Sequence, residues 1–179
     1  KRQLGAFTIA AGAAGTQAAS FQSQMQNVGT LLDGDVQGKL QGMSKQLKQV
    51  SIDTGAATSD LTDGLYQVVS AFGESAESVK QLEIAAKAAK AGNATTTDSV
   101  NMLSAVTKGY GDTSAAALQK ASDLAFLTVK LGQTSFPELA SSMGQVVPLA
   151  ATMKVSQEEL FGAMATLTLS LIHISEPTR

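Results

Sequence analysis

Apolar side chains recur along this chain at spacings of three and four residues, the period of a single helix face. The clearest run is Val36, Leu40, Met43, Leu47 and Val50, which leaves Lys39, Lys45 and Lys48 off the seam. Phe21, Met25 and Val28 form a shorter seam before it. Leu61, Leu65, Val68, Val69 and Phe72 follow, closed by Gly73. Next come Val79, Leu82, Ala86 and Ala89, ending at Ala91-Gly92-Asn93, and then Val100, Leu103, Val106, Thr107 and Tyr110, stopped near Gly111. Leu118, Ala121, Leu124, Ala125, Thr128 and Leu131 close at Gly132, and a last seam uses Leu160, Ala163, Met164 and Leu167. No stretch alternates with period two long enough to demand a strand. No sequence repeat of roughly 20–50 residues is visible.

Start and stop signals divide these seams into separate helices. Thr58 or Ser59, Ser75, Thr96 or Thr97, and Thr113 or Ser114 are the expected N-caps, because a short side-chain oxygen can accept from a first-turn N–H. Ser135-Phe-Pro-Glu138 and Ser156-Gln-Glu-Glu159 are capping-box patterns, and Pro137 falls in the first turn, where its missing N–H costs nothing. Pro148 is expected to kink or end its helix. Gly38 and Gly42 should each weaken theirs by about 1 kcal/mol relative to Ala. The pattern predicts an all-α fold: seven or eight short helices joined by Gly/Ser/Thr turns in a loosely packed helical module.

Composition narrows the function more than the fold. The chain has 179 residues and a formal charge of −2, which offers no basic surface for phosphates and argues against specific nucleic-acid binding. It has no cysteine, which removes disulfides and thiolate metal sites. Aromatics are 4% of residues, and much of the apolar content is alanine, so the seams bury little area per residue and the fragment alone should be weakly stable.

Both ends differ from the middle. The chain begins at Lys1 without a methionine and is expected to be a fragment. No charge occurs between Arg2 and Asp33. Residues 1–20 form an Ala/Gly-rich apolar lead-in, readable as a small-residue packing segment or as a signal or membrane-active segment. Thr8, Thr16, Gln17 and several glycines interrupt it, whereas spanning a bilayer takes about 20 predominantly apolar residues. At the other end, Leu169-Ser-Leu-Ile-His173-Ile-Ser-Glu-Pro177-Thr-Arg179 reads as the translation of a transposase-type sequencing adapter, so 169–179 is expected to be an artefactual tail. His173, the only histidine, lies inside it.

The remaining candidates have plain structural readings. Asp33-Gly34-Asp35 lacks the further ligands and closing Glu of a calcium loop and reads as a polar turn. Gly12-Ala-Ala-Gly15 is followed by no phosphate-loop signature. Asn93-Ala-Thr95 matches a glycosylation sequon, a triplet common by chance. Tyr110 reads as a helix-end core residue or a contact residue. Glu158 and Glu159 suit a helix N-terminus, and Lys80, Lys87 and Lys90 read as a solvated face. No catalytic, cofactor-binding or metal-ligating residue is nominated, and no enzyme is expected.

Several words in order carry a family resemblance: Phe21-Gln-Ser-Gln-Met25-Gln-Asn-Val28, Leu65-Tyr-Gln-Val-Val-Ser70-Ala-Phe72-Gly73 and Leu82-Glu-Ile-Ala-Ala-Lys87-Ala-Ala-Lys90-Ala-Gly92. Ser122-Asp-Leu124, Phe136-Pro-Glu-Leu139-Ala-Ser-Ser-Met143-Gly144 and Pro148-Leu-Ala150 complete the set. Over residues 21–168 the chain resembles the core region of phage tail tape measure proteins. The resemblance implies a structural virion component of a long-tailed phage or prophage, lying inside the tail tube and present in the host cytoplasm during assembly. Its length would set tail length, and it would leave the tube before DNA passes. Implied partners are the tail tube protein, tail assembly chaperones, baseplate proteins and further copies of the chain, with host membrane contact during ejection. A secreted or membrane-active helical protein, such as a pore-former or toxin, is the alternative. One unbroken helix of this length would span on the order of 250 Å at ~1.5 Å per residue. The frequent caps argue for a hinged or packed module in place of a rigid rod.

Overall fold

The computed structural model describes residues 19–170, and among them every regular element is a helix. These are α1, described over 19–29, α2 (Val36–Thr54), α3 (Thr58–Phe72), α4 (Ser78–Gly92), α5 (Thr96–Gly109), α6 (Ala115–Leu131), α7 (Phe136–Thr152) and α8 (Gln157–Ser170). The expected all-α class holds. Residues 1–18 and 171–179, including nearly all of the lead-in and most of the adapter-like tail, lie outside the described residues.

The helices stack in two rows. α3, α5 and α7 pack in order along one row; α2, α4, α6 and α8 pack in order along the other. Helices within a row run parallel. Asp60 near the start of α3 meets Thr96 at the start of α5, and Lys108 near the end of α5 meets Ala71 near the end of α3. Lys120 and Thr128 of α6 meet Glu158 and Phe161 of α8 in the same direction. Helix starts recur at 58, 96 and 136 in one row and at 36, 78, 115 and 157 in the other, a spacing of about 40 residues. A structural repeat therefore exists where the sequence shows none. Each layer needs only a helix, a turn and a helix with one apolar stripe, and many sequences meet that requirement.

The seams predicted for α2 to α5 are the buried ones, and one core runs from Met25 to Phe161. α5 is its centre: it touches α3, α4, α6 and α7 and buries residues around much of its circumference, among them Ser99, Val100, Met102, Leu103, Val106 and Thr107. Close approach depends on missing side chains. A Cβ on Gly92 would lie 2.5 Å from the Phe136 ring, and one on Gly109 would collide with Val147. Phe136, itself fully buried, stacks on Phe126 with ring centroids 5.0 Å apart.

Several helix starts differ from expectation. α3 is preceded by Ala57 with no side-chain cap, because Gly55, left-handed at φ +69°, reverses the chain so tightly that Thr58 is already helical. α5 is capped by Thr95, one residue before the expected pair, while the Thr96 hydroxyl donates to Asp60. Ser75 organises the turn ahead of α4: its Oγ accepts from the Glu77 N–H, its own N–H donates to Ser78 Oγ, and the helix begins at Ser78. Ser114 caps α6 as expected, and both capping boxes are complete, Ser135 with Glu138 and Ser156 with Glu159. Pro148 does not end α7, which continues to Thr152. Proline removes a single N–H, and the buried Val147 and Ala150 hold the last turn in place. The α8 seam is rotated from the predicted one. Leu160, Phe161 and Ala165 are buried, whereas Ala163 and Leu167 are exposed, as is Leu131 of α6.

Glycines of opposite consequence give a direct test of this packing. Gly92→Ala should destabilise the fold by about 1–3 kcal/mol, since the added methyl drives into the Phe136 ring. Gly42→Ala, mid-helix with open space around it, should stabilise by about 0.5–1 kcal/mol. Urea unfolding of the two variants beside the parent checks the signs; Gly92→Ala at parental stability would mean α4 and α7 do not meet as described.

Candidate interaction surfaces

Parallel rows place like helix ends side by side, and side chains from one layer serve the ends of the next. At N-termini the donors are backbone N–H groups and the partners are acids. Asp60 of α3 accepts from the Thr96 N–H of α5, and Glu77 accepts from the Ala115 N–H of α6 at 3.1 Å. At C-termini the acceptors are carbonyls and the partners are lysines. Lys90 of α4 donates to the Thr54 carbonyl of α2, and Lys108 of α5 donates to the Ala71 carbonyl of α3 at 3.0 Å. Each charge also sits at the end of the helix macrodipole that favours it. Sequence reading missed this use of Asp60, Glu77 and Lys108, and it assigned Lys90 to a solvated face. Only tertiary stacking shows which helix end each residue reaches.

The other singled-out residues have local roles. Asp35 caps α2 through the Gly38 N–H, which makes Asp33-Gly34-Asp35 a capping turn. Asn93 ends α4 in the left-handed conformation at φ +53°, and Thr95 of the same sequon is occupied as the α5 cap. Lys80 and Lys87 both pair with Glu83, at 3.0 and 2.6 Å, and hold its carboxyl below the ordinary glutamate range. Glu158 pairs with Lys120 at 2.7 Å, which lowers its pKa, while Glu159 is held low by the Ser156 N–H. Tyr110 is half-buried, and burial raises its phenol, with Glu158 and Glu159 adding to the effect. Its hydroxyl is enclosed without a hydrogen-bond partner. His173 and Gly12–Gly15 lie outside the described residues. Among the described residues no group of three or more His, Cys, Asp or Glu is placed to hold a metal, and no helix is long and apolar enough to cross a membrane.

Two open clefts flank the first layer. One, about 500 Å³, lies where α1 meets α3 and is lined by polar groups including Gln24, Asn27, Asp63 and Tyr66. The other, about 700 Å³, runs between α1 and α2 with Phe21, Met25 and Leu40 at its base and Gln41, Lys45 and Lys48 along its sides. Neither cleft joins a nucleophile to a base. Large exposed apolar side chains occur in the first layers, at Ile52 of α2 and Tyr66 of α3, and in the last, at Leu127, Leu131, Leu149, Met153, Leu167 and Leu169. No assembled reaction centre is visible among the described residues.

The carboxyls of Glu138 and Glu159 accept from the N–H groups of Ser135 and Ser156, and both are held below the ordinary glutamate value of 4.5. A folded-state pKa below the unfolded one contributes stability that is present above about pH 4.5 and is lost as pH falls through the lowered value. Acid titration followed by circular dichroism should show that loss, and Glu138→Gln with Glu159→Gln should reduce it, leaving the part contributed by Glu83 and Glu158. An unchanged acid arm in the double variant would place the responsible carboxylates elsewhere.

The chain shows no significant similarity to any curated protein or to any solved structure. The family model described as phage-related minor tail protein matches residues 44–172, from the middle of α2 through the whole of α8. That match takes in all three complete two-helix layers of the stack and most of the 179 residues. The chain therefore belongs to the phage-related minor tail protein family, a structural component of the phage tail.

Proposed function

We propose that this chain is a segment of the tape measure protein of a long-tailed phage or prophage, acting inside the tail tube during assembly. The observation that carries the reading is the family match over residues 44–172. The ordered words from Phe21 to Ala150, which resemble the tape measure core region, sharpen it from a tail component to this one. Its partners in this role are tube subunits, tail assembly chaperones and baseplate proteins, and it is expelled before DNA passes. The two-row stack supports a folded module carried on the ruler, since short helices joined by tight turns make no continuous rod.

Length change tests the reading in the phage that encodes the chain. In-frame removal of one layer, residues 95–134, should shorten the tail by about 60 Å if assembly draws those residues out into one continuous helix in the tube, at ~1.5 Å per residue. Duplication of the same layer should lengthen it by a like amount. Electron microscopy of assembled tails measures both. Tails of parental length in both variants would remove the chain from length determination and leave it as a tail component of another kind.

A further inference from the structure

Four lysines on the row of α2, α4 and α6 meet an acid: Lys39 pairs with Glu74, Lys80 and Lys87 share Glu83, and Lys120 pairs with Glu158. The groove between α1 and α2 departs from that pattern. Lys45 and Lys48 line it, both exposed, and neither enters an ion pair or a hydrogen bond among the described residues. No acid lines the groove, and α1 carries no charge over 19–29. Two positive charges therefore stand with nothing local to offset them, in a chain whose formal charge is −2.

The rest of the groove is amphipathic. Its floor is Phe21, Met25 and Leu40, of which Phe21 stays partly open to solvent. Gln22 and Gln26 edge it on α1, and Gln37 and Gln41 edge it on α2, each exposed and with its amide in no hydrogen bond among the described residues. On α2 the steps from Gln37 to Gln41, Lys45 and Lys48 are four, four and three, so these residues follow one another along a single edge. The Lys48 ammonium lies 5.6 Å from the centroid of the Phe21 ring, which sets a cation directly beside the apolar floor.

We infer that this groove of about 700 Å³ takes an acidic amphipathic helix from another protein, its apolar stripe on Phe21 and its carboxylates against Lys45 and Lys48. Residues three or four positions apart on a helix are neighbours on one face, so carboxylates at that spacing on the incoming helix reach both lysines. The free glutamine amides favour a polypeptide over an acyl chain, which has no polar group along its length to meet them. The chain's own lead-in has the wrong charge for the site: its ionised side chains are Lys1 and Arg2, and no acid occurs before Asp33. The groove is independent of the tail role, and a failed test would leave the family assignment untouched.

Two synthetic peptides of about 15 residues, long enough to form a helix on a surface, test this chemistry. Both carry leucines at helical spacing; glutamates flank the seam in one and lysines in the other. Fluorescence anisotropy with the full chain should show the glutamate peptide bound at least about tenfold tighter than the lysine peptide, with the difference shrinking as salt rises. Lys45→Glu with Lys48→Glu should reverse the preference and leave the thermal transition unchanged, since both side chains are exposed. Lys80→Glu with Lys87→Glu, on α4, should leave the preference as it is. Equal binding of the two peptides, or a preference that survives Lys45→Glu with Lys48→Glu, overturns the inference. Binding to phosphatidylglycerol vesicles through Lys45 and Lys48, with no peptide bound, overturns it in favour of a lipid surface. Binding of the glutamate peptide only after Leu4, Phe7 and Ile9 are replaced by serine overturns it in favour of the lead-in as the occupant.

Discussion

Helices of each row lie parallel, and that arrangement brings like ends of neighbouring macrodipoles together. Unsatisfied N–H groups collect at one end and unsatisfied carbonyls at the other. The fold answers this with cross-layer caps. Asp60 and Glu77 reach forward to the N-termini of α5 and α6, and Lys90 and Lys108 reach back to the C-termini of α2 and α3. Each such contact satisfies a backbone group and sets a charge against the dipole end that favours it. The same contacts fix the register between layers, because a slip of one turn would pull each side chain away from its partner.

With the register set, the core can be built from small residues. α5 is surrounded by four helices, and side chains such as Ser99 and Thr107 let neighbours approach closely. The Thr107 hydroxyl, fully buried, donates back to the Leu103 carbonyl and so brings no unsatisfied group into the core. Gly92 and Gly109 admit Phe136 and Val147 of α7. Low aromatic content is therefore compatible with a continuous core. The large side chains that are present, Phe136 and Phe161 above all, sit where successive helices of a row or of adjoining rows meet.

A stack of this kind is linear in its energetics. Each layer touches its neighbours in the rows and little else, so stability accumulates by layer and its interface. That suits a tail component whose folded length grows with the number of layers. An interior layer hides its flat faces against its neighbours, and an end layer shows one of them.

Helix content, most seams and both capping boxes were legible in the sequence, because they depend on contacts within three or four residues. Val36 to Val50 reads as one stripe, and Ser135 with Glu138 and Ser156 with Glu159 close their boxes locally. The N-caps of α3, α4 and α5 (Ala57, Glu77 and Thr95) were misplaced by one or two residues, because the geometry of the preceding turn, and not the nearest hydroxyl side chain, set where each helix begins. The rotated face of α8 was not legible: its leucines, alanines and methionine are spread over much of its circumference, and packing against α6 selected Phe161 and Ala165 over Ala163 and Leu167. The repeat of about 40 residues was hidden for the related reason that successive layers share a shape and an apolar stripe without sharing residues. Which acid or lysine caps which helix end was decided by the stack alone, since those partners lie 36 to 38 positions apart and no local pattern joins them.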